Sequence, residues 1–354
     1  MLTSIHIQGF KGFKDTLIAP LRKVNLILGG QNVGKTSLLE AVYLGASDIR
    51  NCEQIPMLFR VSEGKDSQRY IQSVLWDGKW LIDLSDEKDK VIRTTNDEKS
   101  NNKNFFDLKT NIKPINFFET EMEQETGTEK YIKRLIKGAG IGLPSMMMEP
   151  AERKNLIAPV NAAKEVLFFN PLAVSVHLPN QLAVAKIFDK TIMARKKKIL
   201  LDMLRRIEPR LEDMHSLSPD GEQRIYVELE GDGEALPLPQ LGHGFSRLVY
   251  LYCSLLVTDA KLALIDEVEN GIHYSSLPTL FQGIQDIAVN NNVQALMTTH
   301  SWDCIRAAYK TFADADNLKD FQLIRLEREG NNVRAVVIND EMLDTVMEAG
   351  YEVR

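Results

Sequence analysis

Residues 29–36 of this 354-residue chain read G-G-Q-N-V-G-K-T and fit the pattern G-x-x-x-x-G-K-T without a mismatch. In such a loop the glycines let the backbone turn tightly, so that successive N–H groups point at phosphate oxygens, and the following helix adds partial positive charge. Lys35 can reach the outer phosphates, and the Thr36 hydroxyl can ligate Mg²⁺. The loop therefore predicts a site for nucleotide phosphates and Mg²⁺. The residues expected to bind the nucleotide are Gly30, Gln31, Asn32, Val33, Gly34, Lys35, Thr36 and Ser37.

The segments on both sides of the loop have the patterns that a phosphate site requires. Residues 24–28 are a mostly apolar run typical of a buried parallel strand, and Leu38, Leu39, Val42 and Tyr43 form the apolar stripe of a helix. A glycine-rich turn alone also occurs in ordinary strand–helix connections. That interpretation is disfavoured here because G-K-T stands in a strand–loop–helix setting.

Two adjacent carboxylates follow another apolar run late in the chain. Residues 262–265 read L-A-L-I and precede Asp266 and Glu267, which matches the Walker B pattern. Acidic residues at the carboxyl end of a parallel strand face the ligand crevice. We expect Asp266 to hold Mg²⁺, directly or through water, and Glu267 to orient and deprotonate the attacking water. An Asp-Glu pair alone is commonly a solvated strand end, but four preceding apolar residues weaken that interpretation.

The next apolar strand, at 293–297, leads to His300. This strand is expected to lie beside the Walker B strand, so that His300 could hydrogen-bond to the γ-phosphate or to the attacking water. A lone histidine is more often structural, but its position at the strand ends favours a catalytic role. The predicted catalytic residues are therefore Lys35, Glu267 and His300.

Composition excludes some classes of protein and restricts others. With 44% hydrophobic and 26% charged residues, the chain is an ordinary globular sequence, large enough for one α/β domain with a sub-lobe. A net charge of −6 gives no global attraction to nucleic acid. Three widely separated cysteines indicate reduced thiols rather than a disulfide framework or a zinc site. Without a signal-peptide pattern or a membrane-length apolar run, a cytoplasmic location is expected.

Residues 181–214 are predicted to form the longest helical stretch, because apolar residues recur there at helical spacing. The same stretch carries R-K-K-K at 195–198, followed by Arg205, Arg206 and Arg210. The simpler interpretation of these charges is the solvated face of an amphipathic helix. The alternative is a stripe that faces a partner or DNA, since clustered basic residues contact phosphates.

Taken together, these motifs resemble those of the ABC-type ATPases of the overcoming-lysogenisation-defect (OLD) and RecF-like branch, which are relatives of SMC proteins. The resemblance covers about 1–45 and 165–354, including the closing 351–354, whereas the middle of the chain matches no motif. The matching segments, in order, are Asn32 before G-K-T, L-L-E-A at 38–41, L-G-H-G-F-S-R at 241–247, D-E-V-E-N-G-I-H at 266–273 and T-T-H at 298–300.

The resemblance implies an α/β fold, namely a P-loop ATPase head whose mixed, largely parallel sheet is flanked by helices. An antiparallel β sub-lobe and a short helical insertion are expected to interrupt this head. The expected units are 1–45 (hairpin and phosphate loop), 46–165 (β-rich lobe and helical connector), 166–240 (helical lid or arm, then strands) and 241–354 (signature, Walker B and switch histidine).

The family also implies a mechanism in which two heads enclose two ATP molecules, giving a homodimer or a higher homo-oligomer. Each site would pair the Walker motifs of one protomer with the signature of the other. Gly242, His243, Gly244 and Arg247 resemble that signature and are expected to act in trans on phosphate. Two departures are Gly242, where a serine is usual, and Val268, where a proline is usual. Gln181 is a candidate for the glutamine that senses Mg²⁺.

Several functions are open for such an ATPase. One is a switch for a separately encoded effector, a nuclease or toxin, in prokaryotic anti-phage defence. Another is a RecF- or SMC-like ATPase that binds DNA in recombination or repair, and a third is a scaffold that binds ATP without turnover, which the intact Glu267 disfavours. A Toprim nuclease is disfavoured because too few residues follow His300 to hold one, although 314–316 read D-A-D. A GTPase is disfavoured because N-K-x-D is absent.

Overall fold

A six-stranded sheet carries the phosphate loop at its centre, and a four-stranded and a three-stranded sheet accompany it. The computed structural model describes residues 1–46, 79–88, 90–95, 166–169 and 179–348. The strands are β1 (Leu2–Phe10), β2 (Phe13–Ile18), β3 (Val24–Gly29), β4 (Leu81–Asp86), β5 (Val91–Thr95), β6 (Val166–Phe169), β7 (Leu211–Leu217), β8 (Arg224–Leu229), β9 (Leu236–Pro237), β10 (Leu262–Ile265), β11 (Gln294–Thr298), β12 (Phe321–Glu329) and β13 (Asn332–Ile338). The α-helices are α1 (Lys35–Ala46), α2 (Pro179–Met193), α3 (Lys197–Arg205), α4 (His243–Val257), α5 (Leu277–Asn290), α6 (Trp302–Asp314) and α7 (Asp340–Glu348).

The six-stranded sheet has the order β13-β12-β3-β11-β10-β6, and each neighbouring pair is parallel except β12 with β13. β11 therefore lies between the phosphate-loop strand β3 and the Walker B strand β10. Ile27 pairs with Thr298, and Met297 pairs with Ile265. Because these strands end level with one another, the phosphate loop, His300 and the acidic pair meet at one edge of the sheet.

The central strands are buried on both faces, as their continuous apolar runs predict. On β3, Leu26 belongs to the core beneath α2 to α7 and the three-stranded sheet, while Ile27 belongs to the core beneath α1 and the four-stranded sheet. On β10 the same alternation places Ile265 in the first core and Leu264 in the second. Two separate cores therefore hold the strand ends of the site from both sides.

The four-stranded sheet has the order β2-β1-β4-β5 and is antiparallel throughout. The hairpin expected near the N-terminus is present as β1 and β2, and two strands expected in the sub-lobe are present as β4 and β5. The other strands expected between residues 70 and 118, and the helical connector at 119–165, lie outside the described residues. The proposed unit boundaries stay predictions.

The single long helix expected at 181–214 is observed as two helices, and the residues from Leu211 onwards form a strand. The chain forms α2, breaks at Arg195 with a positive φ of 58°, and forms α3, which ends at Arg205. Pro209 explains the end, because proline lacks the N–H that a helix needs and restricts the residue before it. Leu211 and Met214 are buried as expected, but on strand β7.

The fold class is confirmed: α/β, with a mixed and largely parallel sheet flanked by helices and an additional antiparallel sheet. Within the described ranges, none of the helices combines the length and apolar character needed to cross a membrane. Cys253 and Cys304 are free and buried, and burial raises the pKa of the Cys253 thiol to about 12. Cys52 lies outside the described residues.

Candidate nucleotide-binding site

The phosphate loop turns through backbone conformations that favour glycine. Gly29 has a φ of 144°, and a Cβ added there would stand 2.5 Å from the Leu326 carbonyl oxygen. Gly34 has a φ of 110° and lies against the Phe13 ring, whereas Asn32 takes the left-handed region at 58°. Phe13 is fully buried. Phe13 of the β1–β2 hairpin therefore supports the loop from the core.

Lys35, the first residue of α1, reaches back across the loop. Its Nζ donates to the carbonyl oxygens of Gly29 at 2.7 Å and Gly30 at 3.0 Å. Burial lowers the pKa of Lys35, while Asp266, Glu269 and Glu267 act in the opposite direction. The ammonium group is thus held at the position where the loop would surround a phosphate.

Asp266 connects the phosphate loop to the end of β11. Its Oδ2 accepts a hydrogen bond from the Thr36 hydroxyl at 3.0 Å, and its Oδ1 accepts one from the Thr298 hydroxyl at 2.5 Å. The same Thr298 oxygen accepts the Glu267 backbone N–H at 2.8 Å. Asp266 is only 1% exposed, so these contacts hold it rigidly. Sequence reasoning assigned Thr298 no role, although it stands in the T-T-H segment.

The groups around Asp266 fit Mg²⁺. An octahedral Mg²⁺ binds oxygen at about 2.0–2.1 Å, so adjacent ligand oxygens stand about 3 Å apart. The Thr36 hydroxyl and Asp266 Oδ2 have that spacing, 3.0 Å. Among the described residues, no three His, Cys, Asp or Glu side chains are grouped so as to hold a metal ion. An ion at this point would therefore take its other ligands from phosphate and water, as Mg²⁺ does in phosphate-transfer sites.

Glu267 adopts a conformation that is unusual for a residue with a side chain. Its φ is 48°, a strained region for a residue other than glycine, and such strain is typical of functional sites. The Asn270 side-chain amide donates to Glu267 Oε2 at 3.3 Å. Its carboxylate is thereby held beside Asp266 at the edge of the sheet, where a general base is expected.

Arg247 contacts the Walker B segment of its own chain. It is 6% exposed and donates to the carbonyl oxygens of Asp266 at 3.0 Å, Glu267 at 2.8 Å and Asn270 at 2.6 Å of its own chain. Burial lowers the pKa of its guanidinium, whereas Glu269, Glu267 and Asp266 act to raise it. In this chain α4 directs the Arg247 side chain into its own Walker B segment, and its expected contact with a phosphate of the partner stays a prediction.

The other signature residues lie at the N-terminus of α4. Gly242, with a φ of 91°, and His243 are exposed to solvent. Gly244 lies so close to the loop after Glu267 that an added Cβ would stand 2.0 Å from the Gly271 carbonyl oxygen. The start of α4 therefore packs directly on the Walker B loop, and its action in trans stays a prediction.

His300 follows β11 as expected, with its side chain 66% exposed. Its backbone N–H donates to Glu269 Oε1 at 3.0 Å, and its ring Nδ1 lies 3.2 Å from the same oxygen. Sequence reasoning gave Glu269 no role. The sequence did contain a signal for Glu269, because it is a third carboxylate close after Asp266 and Glu267.

Five of the seven basic residues at 195–210 make side-chain contacts within the chain. Lys196 Nζ donates to the Leu256 carbonyl oxygen at 2.5 Å. Four further ion pairs are Lys197 with Asp213, Arg205 with Asp202, Arg206 with Asp286 and Arg210 with Glu208. These contacts favour the simpler interpretation of a solvated, ion-paired surface. Gln181 lies in the first turn of α2, which packs on α4 and β8, and its assignment as Mg²⁺ sensor stays a prediction.

Comparisons with known proteins found similar sequences. Residues 162–303, which include Asp266, Glu267 and His300, match a family described as "AAA domain, putative AbiEii toxin, Type IV TA system". A protein of Helicobacter pylori (strain ATCC 700392 / 26695) named "ATP/GTP phosphatase" is 23% identical over 353 residues, which cover 94% of each chain.

Solved structures of SMC heads are also similar. One, bound to the C-winged helix domain of ScpA, matches over 98% of this chain and 99% of its own, with 12% identity and a TM-score of 0.49. The SMC head domain from Thermotoga maritima matches over 95% and 98%, with 12% identity and a TM-score of 0.42. The class follows from the strand order and the site themselves: a P-loop protein whose strand ends carry the residues of a nucleoside triphosphatase.

Proposed function

We propose that this protein binds ATP with Mg²⁺ and hydrolyses it to ADP and phosphate. The observation that carries the proposal is the contact of Asp266 with both the phosphate-loop residue Thr36 and the β11 residue Thr298. This contact supports one site at the edge of the sheet, in which the phosphate loop, the carboxylate expected to bind Mg²⁺ and Glu267 would act together. The matched AAA domain and the relative named ATP/GTP phosphatase support the same activity.

Each side chain has a distinct task in this reaction. Lys35 exchanges the carbonyl oxygens of Gly29 and Gly30 for phosphate oxygens and stabilises their negative charge. Thr36 and Asp266 would hold Mg²⁺, whose charge would neutralise and orient the phosphates. Glu267 accepts a proton from the attacking water, while His300 hydrogen-bonds to the γ-phosphate or to that water.

Two variants test the assignment. Lys35→Ala is expected to weaken ATP binding about tenfold to a hundredfold, because it removes a charge-assisted hydrogen bond of about 1.5–3 kcal/mol.

Glu267→Gln is expected to bind ATP normally but to hydrolyse it about 10²- to 10⁴-fold more slowly. Calorimetry would measure binding, and phosphate release would measure turnover with ATP and with GTP. Lys310→Ala, on the exposed face of α6, is the control. Normal ATP binding by Lys35→Ala would contradict the site.

We further propose that two copies enclose ATP and that this assembly acts as a switch for a separately encoded nuclease or toxin in anti-phage defence. The exposed Gly242 and His243 at the N-terminus of α4 support a role for the signature in trans, because a helix N-terminus attracts phosphate. The matched family's description, which names a toxin of a TA system, supports the link to an effector. The units 1–45 and 241–354 together would form the ATPase head.

Purification of tagged Glu267→Gln from its own host, with and without ATP and Mg²⁺, tests the switch. Native mass spectrometry should find a second polypeptide that is retained or released with ATP. An ATP-dependent dimer that carries only nucleic acid would instead favour a DNA-repair function. The paired basic residues at 195–210 and the net charge of −6 speak against that outcome.

A further inference from the structure

Glu269 is a buried carboxylate whose two oxygens have different surroundings. Its side chain is 10% exposed. Oε1 accepts the His300 backbone N–H at 3.0 Å and lies 3.2 Å from the His300 ring Nδ1. Oε2 is fully buried and has no hydrogen-bond donor among the described residues. Both groups of His300 that contact Glu269 therefore approach one oxygen.

A neutral amide oxygen could accept those same contacts, but only about half as strongly as a charged carboxylate oxygen. Leaving a buried polar oxygen without a donor costs about 1–3 kcal/mol, and more when the group is charged. A carboxylate at this position therefore destabilises the folded protein, so its negative charge is expected to have a function. Glu269 acts on the pKa of both Lys35 and Arg247 and is the carboxylate with the largest effect on Arg247. The charge of Glu269 therefore acts on the ammonium group of Lys35 and on the guanidinium group of Arg247.

The contact also constrains where the proton sits on the His300 ring. An ionised carboxylate can only accept hydrogen bonds, so Nδ1, the ring nitrogen 3.2 Å from it, is expected to carry the proton. The other nitrogen, Nε2, is then the one that remains for a substrate on the exposed side of the ring. The partner of one imidazole nitrogen commonly decides the state of the other in this way.

We propose that Glu269 is the positioning residue of His300 in the hydrolysis proposed above, on which this inference rests. The negative charge of Glu269 keeps the proton on Nδ1 of His300 and fixes the ring, so that Nε2 is presented to the γ-phosphate or to the attacking water. Glu269 itself touches neither. In this role it acts through His300, from the loop between β10 and α5.

Nitrogen-15 NMR of histidine-labelled protein tests the proton position without any turnover. His300→Gln identifies the His300 signals among the six histidines of the chain. At a pH about two units above the usual histidine pKa of about 6.5, wild-type His300 is expected to show a protonated Nδ1. Glu269→Ala is expected to move the proton to Nε2. A bare Nδ1 in the wild type, or the same spectrum in Glu269→Ala, would overturn the proposal.

Kinetics separate the role of the charge from that of packing. Glu269→Gln keeps the shape and loses the charge, whereas Glu269→Asp keeps the charge and loses a methylene. The proposal expects kcat to fall about tenfold to a hundredfold in Glu269→Gln, with KM for ATP little changed and kcat partly restored in Glu269→Asp. If Glu269 has only a structural role, Glu269→Gln should keep a higher kcat than Glu269→Asp. Glu222→Gln, on an exposed turn, is the matched control.

The two assays also separate this inference from the proposed function. If wild-type protein shows no ATP hydrolysis, the proposed function fails, while the position of the His300 proton still decides the pairing. If hydrolysis is normal and Glu269→Gln matches Glu222→Gln in kcat, the proposed function stands and the positioning role is wrong.

Discussion

At the scale of single residues, Thr298 joins the side chain of Asp266 to the backbone of Glu267. Its hydroxyl donates to Asp266 Oδ1 and accepts the Glu267 backbone N–H. Since Glu267 has a strained backbone, with a φ of 48°, a fixed hydrogen bond to its N–H helps to hold that conformation. Thr298 therefore orients Asp266 and Glu267 together, the residues proposed to bind Mg²⁺ and to act as the base.

We predict that Thr298→Val lowers ATP hydrolysis about tenfold to a hundredfold, because both carboxylates lose their orientation. Valine has nearly the same shape, but it leaves a buried donor and a buried acceptor unpaired, at a cost of about 1–3 kcal/mol each. Thr311→Val is the control, since Thr311 is also buried and donates to a carbonyl oxygen of its own helix, away from the site. Turnover and thermal unfolding should be measured for both variants. Equal turnover in the two would contradict the assignment.

At the scale of elements, α4 connects the signature segment to the Walker B loop. Gly244 in its first turn packs on the Gly271 carbonyl, and Arg247 one turn later binds three carbonyl oxygens of the Walker B segment. A displacement at the start of α4 would therefore be transmitted to Glu267. In a dimer that encloses ATP, this contact would link the signature acting on one nucleotide to the base acting on the other.

Arg247→Lys tests this connection. Lysine keeps the charge but cannot match the planar, multidentate geometry of a guanidinium, so we expect buried carbonyl oxygens to lose their donors. The predicted loss is about 2–3 kcal/mol of unfolding free energy, together with at least tenfold slower hydrolysis. Arg210→Lys, whose side chain is 56% exposed and pairs with Glu208, is the control. Denaturant unfolding measures the first effect and phosphate release the second. Unchanged values in Arg247→Lys would show that the carbonyl contacts do not hold the loop.

Local pattern predicted some elements closely and others poorly. β10 occupies residues 262–265 as predicted, because a short apolar run beside a turn leaves few alternatives. The predicted helix 181–214 instead breaks at Arg195 and ends at Arg205. The three-residue spacing of Leu211 and Met214 fits a helix, but a register shift between Leu211 and Asp213 buries both on strand β7. Pairing with β8 makes Leu211–Leu217 a strand, and that pairing is not visible in the local sequence.

At the scale of the whole molecule, the site is half of the assembly proposed here. Lys35, Thr36, Asp266, Glu267 and His300 lie on one edge of one sheet, whereas the exposed start of α4 is available to a second copy. The proposed ATP enclosure therefore predicts that oligomeric state depends on nucleotide.

We predict that Glu267→Gln doubles its mass on addition of ATP and Mg²⁺, because ATP that is not hydrolysed would keep the two copies together. Analytical ultracentrifugation would measure the change. The double variant Lys35→Ala with Glu267→Gln should stay at its nucleotide-free mass, since it lacks the phosphate contact. The enclosure mechanism would be excluded if ATP left the mass of Glu267→Gln unchanged.

The sequence alone determined which chemical groups are present and in what order: the phosphate loop at 29–36, the acidic pair at 266–267 and His300. These follow from local patterns, since a loop, a strand end and their neighbouring apolar runs are contiguous in the chain. Only the tertiary structure decided the partners of those groups. Thr298 meets Asp266 across 32 positions, Glu269 meets His300 across 31, and Arg247 turns into its own chain. Such contacts depend on strand order and helix packing, which bring distant residues together and leave no local signal.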